Sequence, residues 1–433
     1  MWSVRPQAPR APSNSSTRFE RRRRRAGLRA LPWSLQMSTG DQPQAVGEMG
    51  AKLLAFSEIP VIDIGALVGD DPAAKAATVA EIGRACETVG FFYIKNHGVP
   101  QSLIDRTYEL SKQFHYSPRE LREKVHIRHS PGTRGWVPVS DEDDDGDPEL
   151  YRLVEPSPEN DYLTKPRLHA AFDLAIEIAE DDADFKAGNL MLVPNQWPDW
   201  IPGFRDEVMA YYEAVRQVGD RLFEAFARRL DLDPEFFLER TKKTPSQLRL
   251  LHYPPNDRPM DNDHLGIGAH SDFECFTILH TGGPGLQVMN AADEWVAAPP
   301  IEGAFIVNIG DLLEGWTNGR FKATQHRVVN TGKERFSMPL FFAVDYDVVV
   351  EPLPQFVSAE NPSRYTRIVA GDHLAGFSVH GAKHLRKKIV HGELKINFPI
   401  HKENPFKRKA VNEFEADKTA EAAAKSKEPA RSM

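Results

Sequence analysis

The stretch Gly266–His280, GIGAHSDFECFTILH, carries the decisive pattern in this chain. It reads as a strand in which His270 and Asp272 stand two apart, so the pleat points both side chains to one face. We expect the two to converge on the interior. Cys275 falls on the opposite face and reads as a core thiol. Glu274 and Phe276 share the face of the pair and could border a pocket. His280 has the same parity, but a twisted strand carries it well away.

A second imidazole must come from elsewhere, and His326 stands in a suitable place, in FKATQHRVV (321–329), just after an Asn318-Gly319 turn. Two imidazoles and one carboxylate on one side of an octahedron suit Fe(II), and the open positions can take a co-substrate and O2. Among fifteen His an isolated His-x-Asp is a weak signal. Its company strengthens it. Arg335 and Ser337 follow in RFSMPLFF (335–342) and share one strand face, so a guanidinium fork and a hydroxyl could together hold a carboxylate. A charged Arg in so apolar a strand needs an anionic partner, an internal salt bridge being the plainer alternative.

Outward from this core, residues 246–350 keep a short, strand-like periodicity, punctuated at Pro254-Pro255, Gly282-Gly283-Pro284, Asn318-Gly319 and Thr331-Gly332. Upstream, 166–245 reads as a helical scaffold, its clearest helix at 204–230 with Val208, Tyr212, Val215, Val218, Leu222 and Phe226 on one face. Residues 58–165 form an N-terminal region. IPVIDI (59–64) is a short strand, Val79, Ile82, Cys86 and Val89 recur at helical spacing, GFFYIKNHGVP (90–100) is a buried strand, and 102–125 reads as another helix. Asp141, Asp143, Asp145 and Gly146 imitate the start of a calcium loop, but the twelfth position is Arg152, so we expect a solvated loop. Residues 351–400 read as a mixed, helical capping segment, and 407–433 as a disordered tail.

The bulk properties narrow the classes. No apolar run approaches the roughly 18–20 residues of a membrane helix. Two cysteines, Cys86 and Cys275, cannot build a disulfide framework or a Cys-rich zinc site. Residues 1–40 hold nine Arg and one acid, Glu20, which leaves the rest of the chain at −16 within a net charge of −8. That acidic body argues against nucleic acid as the partner. Residues 1–50, with the Arg21–Arg25 run and no apolar periodicity, read as a disordered basic extension. We expect a cytoplasmic protein, organelle targeting by that extension being the alternative.

Taken together, His270-x-Asp272, His326 fifty-four residues after Asp272 and Arg335-x-Ser337 resemble the signature of the 2-oxoglutarate/Fe(II)-dependent dioxygenases, in their isopenicillin N synthase-like branch. IPVIDI with GFFYIKNHGVP is similar to that family's N-terminal region, and GPGLQV (283–288) and NIGDLLEGWTNG (308–319) to its core segments, so the likeness covers roughly residues 58–395. It implies a mainly β fold with flanking helices around a double-stranded β-helix (jelly-roll) core. It also implies His270, Asp272 and His326 as Fe(II) ligands and Arg335, Ser337 and Tyr253, in LLHYPP (250–255), around the distal carboxylate of 2-oxoglutarate. Many relatives carry Asn two residues before that Tyr. Here Leu251 stands there, so one familiar contact is missing.

The implied reaction consumes O2 and 2-oxoglutarate, with ascorbate as a reductant. It releases succinate and CO2 while oxidising a small-molecule metabolite by hydroxylation or desaturation. We expect no general base, a small-molecule substrate and a monomer. An Fe(II) oxidase of the same fold that does not use 2-oxoglutarate in the usual way, isopenicillin N synthase-like or ethylene-forming, is one alternative. A non-catalytic jelly-roll binding protein is another. Arg134-Gly135-Trp136 and Phe377 lie in segments that line the substrate side in relatives, and His252, His264 and His280 read as surface residues or neighbours of the ligands.

Overall fold

In the computed structural model, the described residues are 59–139, 168–262, 264–290 and 293–401. The Arg-rich extension, the acidic loop at Asp141–Asp147 and the tail from Lys407 lie outside them. IPVIDI supplies β1 (Val61–Asp63), and α1 (Pro72–Thr88) follows. The Asp71 carboxylate accepts from the backbone N–H groups of Ala73 and Ala74, and proline opens the first turn, a combination that fixes a helix start. Next come β2 (Phe91–Lys95), α2 (Gln101–His115), the single-turn α3 (Arg119–Arg122) and β3 (Gly135–Val137). The helix expected over 102–125 thus ends at His115. Pro118 restricts Ser117 to extended backbone and breaks it there.

After Leu168 the chain forms β4 (Ala170–Leu174), α4 (Ala183–Lys186) and α5 (Phe204–Arg229), so the stretch read as a helical scaffold also contributes a strand. Then follow β5 (Gln247–Tyr253), β6 (Ile267–His270), β7 (Phe276–Thr281), β8 (Leu286–Met289), β9 (Trp295–Ala297) and β10 (Phe305–Ile309). Helix α6 (Asp311–Trp316) precedes β11 (His326–Val328), β12 (Arg335–Phe342), β13 (Val349–Val350), β14 (Ile368–Val369), α7 (Ala370–Gly381) and α8 (Lys383–Val390). None of these helices is long and apolar enough to cross a membrane.

Eight strands form the major sheet in the order β1-β2-β10-β7-β12-β5-β4-β3, and four form the minor sheet in the order β6-β11-β8-β9. The strands alternate. On the major sheet Phe92, Leu250, Ile278, Val307 and Leu340 pack on the α5 side with Val208, Val215, Leu222 and Phe226. Phe91, Leu251, Tyr253 and Ile306 face instead the Leu286, Val288, Val296 and Val328 side chains of the minor sheet. Each fully buried side chain of this size is worth about 1.5–3 kcal/mol, so both faces of the major sheet are strongly specified. Gly219 allows α5 to lie close on the sheet, because a Cβ there would stand 1.9 Å from the Phe342 ring.

One expectation fails at the decisive stretch. It is not one strand: β6 ends at His270 in the minor sheet, and β7 begins at Phe276 in the major sheet. Residues 271–275 are the crossing. Their backbone groups find partners at the start of α6 and at β12: Asp311 N–H donates to the Asp272 carbonyl (2.9 Å), Gly310 N–H to the Cys275 carbonyl (2.8 Å), and Cys275 N–H to the Phe342 carbonyl (2.8 Å). Those bonds replace a strand ladder. The parity argument for Phe276 fails with it, and Phe276 packs under α5 against Phe223, Phe226 and Phe342. Cys275 is a buried core thiol, as read.

Candidate metal centre

The crossing delivers three donors to one point. His270 ends β6, and His326, beginning β11, is its direct register partner, with ring centroids 4.3 Å apart. Each ring has its Nδ1 on a backbone carbonyl two residues earlier, His270 on Gly268 (2.8 Å) and His326 on Thr324 (3.2 Å). With Nδ1 as the donor, the lone pair resides on Nε2, the tautomer a metal needs. Both Nε2 atoms stand 3.5 Å from the same Asp272 oxygen, Oδ1. The three donor atoms lie within 4.8 Å of one another.

The other oxygen of Asp272 is occupied by protein. Thr277 Oγ1 donates to Oδ2 at 2.5 Å and Asn308 Nδ2 at 2.6 Å. These two donors come from β7 and β10, so the major sheet holds the carboxylate while the minor sheet holds the imidazoles. Asp272 is 4% exposed, His326 9% and His270 32%, which leaves the trio open on the His270 side.

Burial opposes ionisation of Asp272, but the adjacent imidazoles outweigh it and hold the carboxyl well below its usual range. Burial would likewise lower His270, yet the hydrogen bond and charge of Asp272 raise it. Glu274, half-buried on the same crossing, is pushed up to about 8 by burial and then by the charge of Asp272. Two imidazoles and a carboxylate oxygen converging on one point, accessible on the His270 side, suit a divalent iron that keeps positions free for other ligands.

At the other end of the inner face lies Arg335. It donates from Nη2 to Thr281 Oγ1 (2.8 Å), from Nη1 to Ser337 Oγ (3.1 Å) and from Nε to the Gly283 carbonyl (3.3 Å). Its guanidinium sits 4.6 Å from the centroid of the Tyr253 ring, directly across the β5–β12 register. Every one of these partners is neutral. Arg335 is only 5% exposed and makes no ion pair among the described residues. A buried cation so placed is incomplete without an anion, and a carboxylate matches the fork. A narrow cleft lined by Tyr253, Arg335, Asn256, Gly266 and Asn330 opens beside it. Leu251, opposite Ser337, packs in the apolar layer between the sheets.

The remaining flagged residues take other places. His252 bonds to Glu334 (2.9 Å) and stacks on Phe336, His264 bonds to Asp261 (2.8 Å), and His280 meets the Tyr108 hydroxyl (2.9 Å). None joins the trio. Trp136 is buried under the Arg122 guanidinium, Arg134 reaches Gln247 (2.9 Å), and Phe377 stacks on Phe273 with centroids 3.8 Å apart. The reading from sequence missed Thr277, Asn308 and Thr281. A signal existed for Asn308, a lone amide in the apolar strand FIVNI that had to find a partner.

Comparison with known proteins gives one consistent result. Residues 59–200 match the family described as the N-terminal region of the non-haem dioxygenase in morphine synthesis, and residues 244–344 match the 2OG-Fe(II) oxygenase superfamily. A 2-oxoglutarate-Fe(II) type oxidoreductase of Emericella nidulans is 34% identical over 326 residues, 73% of this chain and 88% of that one. A homoarginine-6-hydroxylase of Glycine max is 32% identical over 341 residues, 74% of this chain and 96% of that one. Among solved structures, a 2OG-Fe(II) oxygenase family protein from Caulobacter crescentus is 29% identical, with a TM-score of 0.61 over 73% of this chain and 96% of that one. The likeness extends to the jelly-roll core with its flanking helices.

Proposed function

The chain belongs to the 2OG-Fe(II) oxygenase superfamily and is an oxidoreductase that uses Fe(II) and 2-oxoglutarate; from that premise we propose the part each residue plays. His270 and His326 bind the metal through Nε2, and Asp272 binds it through Oδ1. Arg335, Ser337 and Thr281 hold the distal carboxylate of 2-oxoglutarate, and the Tyr253 ring lies against the guanidinium. Bound there, the pair supplies the oxidant: O2 is consumed, 2-oxoglutarate becomes succinate and CO2, and one oxygen atom is available for a substrate C–H bond.

The protein's own work is positioning and exclusion. Nδ1–H bonds to the Gly268 and Thr324 carbonyls fix both imidazole planes. Thr277 and Asn308 occupy Oδ2, so Asp272 offers one oxygen rather than two and a coordination position stays available. The apolar layer of Leu251, Val288 and Val328 keeps water from the inner face. No side chain is needed as a general base.

We propose hydroxylation of a small molecule as the net reaction, in keeping with the hydroxylase among the named relatives. The observation that carries this reading is the convergence of both Nε2 atoms on Asp272 Oδ1, with His270 partly accessible, and a buried Arg335 that makes no ion pair among the described residues. The test is to measure succinate formed against O2 consumed, with Fe(II) and 2-oxoglutarate, over a panel of metabolites. One succinate per O2, lost in Asp272→Ala, is expected. Oxygen consumption without succinate would rule the reading out.

A further inference from the structure

We propose that the substrate carries a carboxylate and that this group docks on Arg249, with Asp173 as the positioning residue that aims the guanidinium. The inference rests on the reading above, that substrate is oxidised on the open side of the His270, Asp272 and His326 trio.

Three residues on the inner faces of β5 and β12 keep solvent access while their neighbours are buried: Gln247, Arg249 and Phe341. They mark the open part of the pocket. Register gives its depth. Leu251 pairs with Ser337, Gln247 pairs with Phe341, and Phe341 pairs with Thr277, whose hydroxyl holds Asp272. Arg249 lies between the co-substrate rung and the metal rung, and two residues of strand span only about 7 Å. With β5 two strands from β7, the Arg249 backbone lies roughly 12 Å from that of Thr277, so a small molecule held by its fork can reach the metal position. Phe341, Phe273 and Phe377 supply apolar walls there.

Arg249 faces Asp173 across the β4–β5 register, and its Nε donates to Asp173 Oδ1 at 2.8 Å. Asp173 is 4% exposed and Arg249 is 26% exposed. That edge-on bond fixes the plane of the guanidinium and uses only Nε, so the two terminal nitrogens make no hydrogen bond to any described residue. Two N–H groups on the accessible side of a fixed plane form the bidentate fork that matches a carboxylate.

The local charge points the same way. Arg134, fully buried behind Gln247, bonds among the described residues only to neutral oxygens, those of Thr133, Gln247 and Met191. The acid whose charge acts on it is again Asp173. One carboxylate thus serves two guanidiniums. Glu274, which also acts on Arg249, makes no hydrogen bond with it. A carboxylate completes the open fork of Arg249, whose terminal nitrogens make no hydrogen bond to a described residue, better than a neutral or cationic group does.

The experiment uses the full chain loaded with Fe(II) and 2-oxoglutarate, and a panel of metabolite carboxylic acids, each paired with its primary amide. Succinate formation is read over a substrate-free control. We expect turnover with acids, and a KM at least about tenfold higher for the matching amide, the loss of one charge-assisted pair. Arg249→Gln raises the KM for the acid more than it lowers kcat and erases the preference for acid over amide, Arg249→Lys falls between, and Asp173→Asn gives a weaker version of the Gln variant. The Kd for 2-oxoglutarate, measured without O2, moves less than about twofold in Arg249→Gln, since Arg335 holds that ligand. Turnover of amides as readily as acids, of amides alone, or of nothing in the panel overturns the proposal. So does an Arg249→Gln variant that keeps its acid preference or weakens 2-oxoglutarate instead. The anaerobic 2-oxoglutarate measurement separates the two readings: wild type that binds no 2-oxoglutarate in the presence of Fe(II) loses the metal and co-substrate reading, whereas 2-oxoglutarate binding with no response to acids removes only the Arg249 anchor.

Discussion

Asp272 has one oxygen left for the metal. Thr277 and Asn308 tie down Oδ2 at 2.5 and 2.6 Å, and outer partners of this kind typically carry about 10–100-fold in metal affinity. Thr277→Val and Asn308→Ala should each weaken Co(II) binding by about that factor in an anaerobic titration, with the fold intact by circular dichroism. Wild-type affinity in both would mean that Asp272 holds its geometry alone. Protonation gives a second handle. Asp272 raises His270 above its ordinary value, so metal binding must expel a proton there. Apparent metal affinity should therefore fall as pH drops through that raised value, at about tenfold per unit for one proton released, and level off above it. Affinity flat across that range would show His270 to be neutral or uninvolved. Residue types and spacing made His270, Asp272, His326, Arg335 and Ser337 legible in advance. Thr277, Thr281 and Arg249 were not, because their roles depend on which strand lies beside which.

Elements decide how those residues meet, and here the sequence reading was right about the destination and wrong about the route. His270 and Asp272 do converge, but through a crossing between two sheets rather than along one strand. The crossing depends on a close backbone approach at Gly310. A Cβ there would stand 2.3 Å from the Glu274 carbonyl oxygen and 3.2 Å from that of Asp272, with backbone on both sides and nothing flexible to yield. Gly310→Ala should push the 272–275 crossing away from α6, costing about 1–3 kcal/mol by thermal or urea unfolding and weakening metal binding with it. If stability falls and metal affinity does not, the crossing and the site are not coupled as described. Nothing in a linear pattern of apolar residues announces such a crossing, since five residues bonded to a helix start and a distant strand look, by composition, like more strand.

The whole molecule places a minor sheet with two imidazoles against a major sheet with one carboxylate and the Arg335 end of the pocket. Fold class and family were legible because strand periodicity and short motifs each carry strong local signals; residue partners across the sheets were not, because register is a tertiary property. Burial elsewhere sets acid sensitivity. Burial lowers His115 to about 3 and His280 to about 4, from an ordinary 6.5. The unfolded chain then binds more protons than the folded one between 6.5 and those values, so stability is fully present above the ordinary value and is lost as pH falls, by at most about 1.4 kcal/mol per pH unit for each histidine. His280→Asn should flatten that loss above pH 4 in urea unfolding at a series of pH values, and an unchanged slope would remove His280 from the account.

An anaerobic titration of the full chain with Fe(II) and then 2-oxoglutarate, following the charge-transfer absorption of a chelated 2-oxo acid, tests the metal and co-substrate assignment. One iron per chain and a saturable band are expected in the wild type. His270→Ala should give no band, and Arg335→Ala should give the same band only at 2-oxoglutarate concentrations at least about tenfold higher, since a charge-assisted carboxylate pair is lost. A full band in His270→Ala, or an unchanged 2-oxoglutarate requirement in Arg335→Ala, would contradict it.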